Sequence, residues 1–151
     1  MTTLSDRTAS RQVVCLVFYH QGDILLEQRL DRDAFYGEWL LPGGKVEDAD
    51  AAGGDVLQEA ARRESQEETG LTPTRLRTLI NFEQRLRDGR IFHFNGMHVQ
   101  EWTGRLENRE VGRRNLVWVP LEQAQRLMHD SKERVGCRIV EAFVAASEVA
   151  R

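Results

Sequence analysis

Three carboxylates fall within five residues in the run Arg63-Glu64-Ser65-Gln66-Glu67-Glu68-Thr69-Gly70-Leu71. On a helix turning about 100° per residue, Glu64, Glu67 and Glu68 share one narrow face. Leu57, Ala60 and Ala61 lie on the same stripe one or two turns earlier, while Glu59, Arg62 and Gln66 lie opposite. The stripe expected to be buried therefore ends in three acids. Like charges three and four residues apart repel, acids at a helix C-terminus oppose its dipole, and a nearby core strips their hydration. A bound cation relieves all three penalties. Such a cation would also bring positive charge to a small phosphorylated substrate.

The rest of the chain supplies the elements that must hold these acids. Its 151 residues suit one domain, and 40% hydrophobic with 30% charged residues is ordinary for a soluble globular protein. Gln12 to Tyr19 reads as a buried strand, and Ile24 to Arg29 as a second strand, the two forming a hairpin through His20-Gln21-Gly22-Asp23. Asp31 to Gly37 is polar loop, and Glu38 to Leu41 a short strand ending at Pro42-Gly43-Gly44. A glycine-rich loop leads into a helix from Asp55 to Thr69, with Gly70 as its left-handed cap and Leu71 packing back. Strands are expected over Leu76–Gln84 and Ile91–Trp102, joined by the Arg87-Asp88-Gly89-Arg90 turn. Asn108 to Asn115 is a charged loop, followed by a strand to Pro120, a short helix from Leu121 to His129, and a helix from Arg134 to Val149. That order gives one α/β domain, residues 12–151 behind a polar tail of residues 1–11, with a mixed sheet sandwiched between helices.

Charge and cysteine usage narrow the partners and the setting. A net charge of −3 argues against long nucleic acid, which needs a basic surface. Cys15 lies in the apolar run Val13–Phe18 and reads as a core residue; Cys137 carries no special signal, and the pair lacks metal-ligand spacing. Without a disulfide framework, a signal peptide or a membrane-length apolar run, a cytoplasmic protein is expected.

Residues 43–71 resemble the signature of the Nudix hydrolases: glycine, five residues, Glu, seven residues, then Arg-Glu-aliphatic-any-Glu-Glu-any-Gly-aliphatic. Arg63, Glu64, Glu67, Glu68, Gly70 and Leu71 match its second half. Three positions depart. Asp55 stands where Glu is usual, Ser65 stands where an aliphatic residue is usual, and ten residues rather than five separate Gly44 from Asp55. A five-residue insertion, Asp48 to Ala52, accounts for that spacing. It is expected to lengthen the loop without moving the carboxylates.

The resemblance implies a Nudix-type α/β/α sandwich and a Mg²⁺- or Mn²⁺-dependent hydrolysis of a phosphoanhydride. In that reaction water attacks phosphorus while charge moves to the leaving oxygen. By the same resemblance Glu64, Glu67 and Glu68 are metal ligands and Asp55 an accessory one. Arg63 braces the loop, and Gly43 and Gly44 admit close backbone approach. A carboxylate of the later loop, Glu110 ahead of Glu107, is a candidate ligand or base. Arg29 either reaches substrate or forms a surface salt bridge, and Trp39 and Phe82 either stack on a base or belong to the core.

The Leu-Glu-Gln-Arg and Trp-Leu-Leu-Pro-Gly-Gly-Lys-Val-Glu stretches are similar to the MutT-like branch. That implies cleavage of a nucleoside triphosphate, ordinary or oxidised, to monophosphate and pyrophosphate. Dinucleoside polyphosphates and ADP-ribose fit the same chemistry, and the resemblance leaves a homodimer open. A non-catalytic nucleotide sensor would show an eroded acidic cluster, and an isoprenoid diphosphate isomerase would need a well-placed catalytic cysteine. Neither feature is present.

Overall fold

The computed structural model describes residues 11–30 and 37–147. The expected tail, apart from Arg11, the loop over 31–36 and the end of the last helix lie outside the described residues. Among the described residues seven strands form one mixed sheet: β1 Gln12–His20, β2 Asp23–Arg29, β3 Trp39–Leu40, β4 Gly43–Lys45, β5 Leu71–Arg85, β6 Ile91–Gly104 and β7 Arg114–Pro120. Three helices accompany them: α1 Val56–Thr69, α2 Leu121–His129 and α3 Val135–Ala146. The main strand order is β3-β2-β1-β6-β5, with β4 also on β1 and β7 also on β2.

Strand alternation sends side chains to two cores, one on each face of the sheet. Val14, Leu16 and Phe18 of β1 and Leu25 of β2 pack with Ala60 and Ala61 of α1. Val17, Ile24 and Leu26 face the other way, against Met128 of α2 and Ile139, Val140 and Phe143 of α3. The α/β/α sandwich expected from the sequence is therefore the observed architecture. Phe82 and Trp39 both go to the α2–α3 side, Phe82 as buried core with its ring 5.6 Å from that of Phe94 and Trp39 packed at the edge.

Several boundaries differ from those expected. The β1–β2 hairpin pairs only next to its turn, Tyr19 with Ile24 and His20 with Asp23. Beyond that point β1 runs parallel to β6 from Gln12–His93 to Phe18–Val99, whereas β2 runs antiparallel to β7 from Asp23–Pro120 to Arg29–Arg114. The two strands part because each has a longer partner elsewhere. Gly43–Lys45, expected as loop, pairs with β1 as β4. β5 begins at Leu71, and register shifts around Pro73–Leu76 absorb the proline, which has no amide to donate. β7 begins at Arg114 and takes in part of the expected charged loop. The inserted segment is a 3₁₀ helix, Asp48–Gly53, rather than plain loop.

His98 on β6 stands edge-on to Phe143 of α3, ring centroids 4.9 Å apart, and its Nδ1 is buried without a hydrogen-bond partner. Burial, with Arg77 and Arg75 nearby, lowers its pKa from 6.5 to about 4. The unfolded chain therefore takes up this proton at higher pH than the folded one. His98 contributes stability above pH 6.5 that is lost as pH falls toward 4. His98→Leu is expected to flatten the acid side of a melting-temperature profile across that window. An unchanged slope would refute the assignment.

Candidate active site

Four elements bring the acids together. Helix α1 starts at its N-cap Asp55, whose carboxylate accepts from the Gln58 amide, and ends at Gly70, a left-handed cap with φ 76°. Leu71, 2% exposed, packs back into the α1-side core. Ser65 is fully buried but satisfied: its hydroxyl donates to the Leu71 carbonyl at 2.7 Å. A hydroxyl with that acceptor explains how this position manages without an aliphatic side chain.

Glu64 and Glu68 turn inward beneath β4. The Gly43 amide donates to Glu68 Oε2 at 3.2 Å. A Cβ at Gly43 would land on the Val14 carbonyl, and one at Gly44 would land on the Glu64 carboxylate. Both glycines are thus required by close approach. Gly44→Ala is expected to displace the flexible Glu64 carboxylate and lower turnover at least about tenfold, with melting shifted only slightly. A kcat equal to that of the unaltered protein would show that the Glu64 position is immaterial.

Two further residues complete the cluster, and sequence reasoning missed their roles. Glu27 of β2 is 3% exposed and Arg114 of β7 is 5% exposed. Arg114 Nη1 lies 2.7 Å from Glu27 Oε2 and 2.9 Å from Glu68 Oε1, and its Nη2 lies 2.8 Å from Glu110 Oε2. The turn before β7 is shaped for this. Asn108 accepts from the Glu110 amide and donates to the Arg114 carbonyl, setting both side chains toward the cluster.

Burial pushes the Glu68 carboxyl up to about 9, reinforced by Glu27 and Glu64 and opposed by Arg114 and the Gly43 amide. Glu27 is also raised by burial against the pull of Arg114, and Glu64 by burial against the pull of Arg63. Cys15, beside the same acids, is pushed up to about 12 by burial, then by Glu27 and Glu68. It is a poor nucleophile in that setting.

A second arginine works from the outside. Arg63 binds both oxygens of Asp50, from Nε at 2.9 Å and Nη2 at 3.0 Å, and donates to the Lys45 carbonyl at 3.0 Å. Its Nη1 reaches Glu64 at 3.0 Å and Glu67 at 3.4 Å. The expected brace is present, and its anchor, Asp50, comes from the inserted segment.

The remaining candidates are placed less centrally. Glu67 sits at the rim, its side chain 57% exposed. Glu110 reaches the cluster through Arg114, whereas Glu107 pairs loosely with Arg109 at 3.9 Å. Asp55 is not brought to the acids: it caps the far end of α1, about 14 Å from Glu64 by helix rise. Arg29 lies 3.9 Å from the buried Glu27 Oε1 and lines a cavity of about 250 Å³, so its ion pair is an interior one and not the surface salt bridge expected as the alternative to substrate contact. Gly43, Gly44, Cys15 and Glu27 form the inner wall of that cavity, and Phe92, Phe94 and Val135 form apolar parts of its lining.

The all-oxygen donor set of Glu27, Glu64, Glu67 and Glu68 suits Mg²⁺ or Mn²⁺. Glu27 and Glu68 share the Arg114 guanidinium away from water while Glu64 and Glu67 share Arg63. This crowding of acids is what a divalent ion would relieve, so the donor chemistry fits the expected metal.

Residues 9–137 match the NUDIX domain. The chain belongs to the Nudix family. It is 34% identical over 113 residues to the CTP pyrophosphohydrolase of Escherichia coli (strain K12), covering 75% of this chain and 78% of that protein. It also matches the nucleoside triphosphatase NudI of Enterobacter sp. (strain 638), 39% identical over 61 residues, or 40% of each chain. Among solved structures, the E. coli ORF135 protein superposes with TM-score 0.69 and 29% identity over 93% of this chain and 91% of that one. The MutT NUDIX hydrolase of Burkholderia pseudomallei superposes with TM-score 0.65 and 26% identity over 74% and 84%. The protein is a Nudix hydrolase of the MutT-like branch, the family expected from the motif and the branch from the stretches around it. No helix among the described residues is long and apolar enough to cross a membrane.

Proposed function

We propose that this Nudix hydrolase cleaves a nucleoside triphosphate to monophosphate and pyrophosphate, using Mg²⁺ or Mn²⁺. The observation that carries the reading is the placement of Glu68 against Gly43 and of Glu64 against Gly44, two glycines that line the cavity together with Glu27. A nucleoside in the apolar part of the cavity would send its phosphates past the two glycines toward the carboxylates. The names of the CTP pyrophosphohydrolase and NudI relatives support a triphosphate over ADP-ribose or a dinucleotide.

In this reading Glu27, Glu64, Glu67 and Glu68 hold the ion, which when bound supplies positive charge to the phosphate oxygens. Arg29, at the cavity wall beside Glu27, donates to a phosphate oxygen. Glu64 takes the proton of the attacking water, and Glu110 is the second candidate for that task. Gly43 and Gly44 let the Val14 strand and the Glu64 carboxylate close up at the cavity wall, which sets the acids where the phosphates would arrive. Asp55 has no part in the chemistry.

Phosphate and pyrophosphate release should be measured on ordinary and 8-oxo nucleoside triphosphates, dinucleoside polyphosphates, ADP-ribose and NADH, with Mg²⁺, Mn²⁺ or chelator. Metal-dependent release of pyrophosphate from one triphosphate is the expected result. Preferential turnover of ADP-ribose or a dinucleotide would overturn the substrate class, and binding without turnover would favour a sensor.

A further inference from the structure

Arg114 brings the cluster together, yet its contacts use the oxygens that an ion would need. Its Nη1 reaches Glu27 Oε2 and Glu68 Oε1, and its Nη2 reaches Glu110 Oε2, all within 2.9 Å. Guanidinium is always charged and only donates. It donates a hydrogen bond to Glu27 Oε2 and stands as a close ion-pair partner to Glu68 and Glu110, so the ion would have to displace it from those carboxylates. A divalent cation binds through the lone pairs of the same carboxylates. Among the described residues no group of three His, Cys, Asp or Glu is already spaced to hold an ion. The acids are instead spread around a flat guanidinium.

The side chain is also incompletely satisfied where it sits. Arg114 Nε is buried with no hydrogen-bond partner. An arginine serving purely as a structural pin would be expected to engage that donor, because leaving it unpaired is unfavourable. The backbone, by contrast, is fixed by pairing with Arg29 and by the Asn108 side chain. The anchor is rigid, and the head group has a reason to move.

We propose that Arg114 is a built-in competitor for the divalent ion, its guanidinium holding Glu27, Glu68 and Glu110 together until an ion takes the first two. The inference rests on the reading of the cluster as a metal site. It gives the protein a cation-free form whose buried acids are already compensated. It also weakens ion binding, because the guanidinium must surrender two carboxylates before the ion gains them.

Mn²⁺ binding, followed by the magnetic resonance signal of the free ion, tests this on the full chain without substrate. Arg114→Gln is expected to bind Mn²⁺ about tenfold or more tightly than the unaltered protein. Its melting temperature should be lower in chelator and rise more on adding Mg²⁺. Arg114→Lys, which keeps the charge but loses the fork, should bind Mn²⁺ with intermediate affinity. If Arg114→Gln does not fold in chelator, the Lys variant decides, and binding no tighter than the unaltered protein overturns the proposal. Equal or weaker Mn²⁺ binding by a folded Gln variant overturns the competition alone. Absence of Mn²⁺ binding by every form would overturn the metal-site reading with it.

Discussion

Glu68→Gln is expected to give a folded protein whose metal-dependent turnover is lower by about a hundred- to a thousandfold. Glu68 is 5% exposed, and burial already disfavours its charged form. Glutamine has the same shape and no charge to desolvate. Its single oxygen keeps either the Gly43 amide or the Arg114 guanidinium while its NH2 faces the other donor, so one polar contact is lost and stability should fall by about 2 kcal/mol. Catalysis has no such substitute, since an amide is a weak ligand for Mg²⁺ and brings no negative charge. Turnover at saturating Mg²⁺, read beside a thermal melt, checks both halves. Near-native kcat would remove Glu68 from the proposed site.

Arg63→Met should carry the largest stability loss, about 3 kcal/mol, together with reduced turnover. Asp50 is 5% exposed and bound through both oxygens, and the arginine holds its carboxyl below the usual range despite the opposing effect of burial. Removing the guanidinium leaves that carboxylate without its main partner and releases Glu64, Glu67 and the Lys45 carbonyl together. For a chain of this size the loss corresponds to about 6–12 °C in melting temperature. A melt shifted by less than about 2 °C, the scale of a surface substitution, would mean that the ion pair is not structural.

The inserted segment is where expectation and structure differ most usefully. The spacing of the resembled motif marked Asp48–Ala52 as extra chain, and nothing in its length suggested a role. Asp50 becomes visible only in the fold, because the 3₁₀ helix turns one of several acids inward to Arg63. The segment supports the brace rather than simply lengthening a loop.

Glu64 and Glu68 were legible because helical periodicity ties them to Leu57, Ala60 and Ala61. The same periodicity put Glu67 with them, but its side chain lies at the exposed edge of the stripe. Glu27 was placed on the correct side of its strand by alternation, opposite Ile24 and Leu26. Alternation gives sides and not covers, and α1 lies over that side, making Glu27 interior. Arg114 was hidden in an arginine-rich stretch that resembled surface loop. Its alternation with Leu116 and Trp118, both packed on the α1-side core, was the available signal. Asp55 was assigned by motif position, although the helix expected from Asp55 to Thr69 already put it at the far end from the acids, and the observed α1, capped by Asp55 and ending at Thr69, keeps those bounds.

The early separation of β1 from β2 sets a condition on when the protein can first become active. Glu27, Gly43, Glu68 and Arg114 come from four stretches of chain, and the seat of Arg114 exists only once β7 has paired along β2. A nascent chain emerging from the ribosome would display the whole helical motif long before residue 114 was free to join it. Such a chain would carry its own diagnostic sequence with unmatched acids at the centre. β2, which carries Glu27, gains its long partner only as the final strand docks, so a proteolytic fragment ending before β7 should have no residual activity to detect.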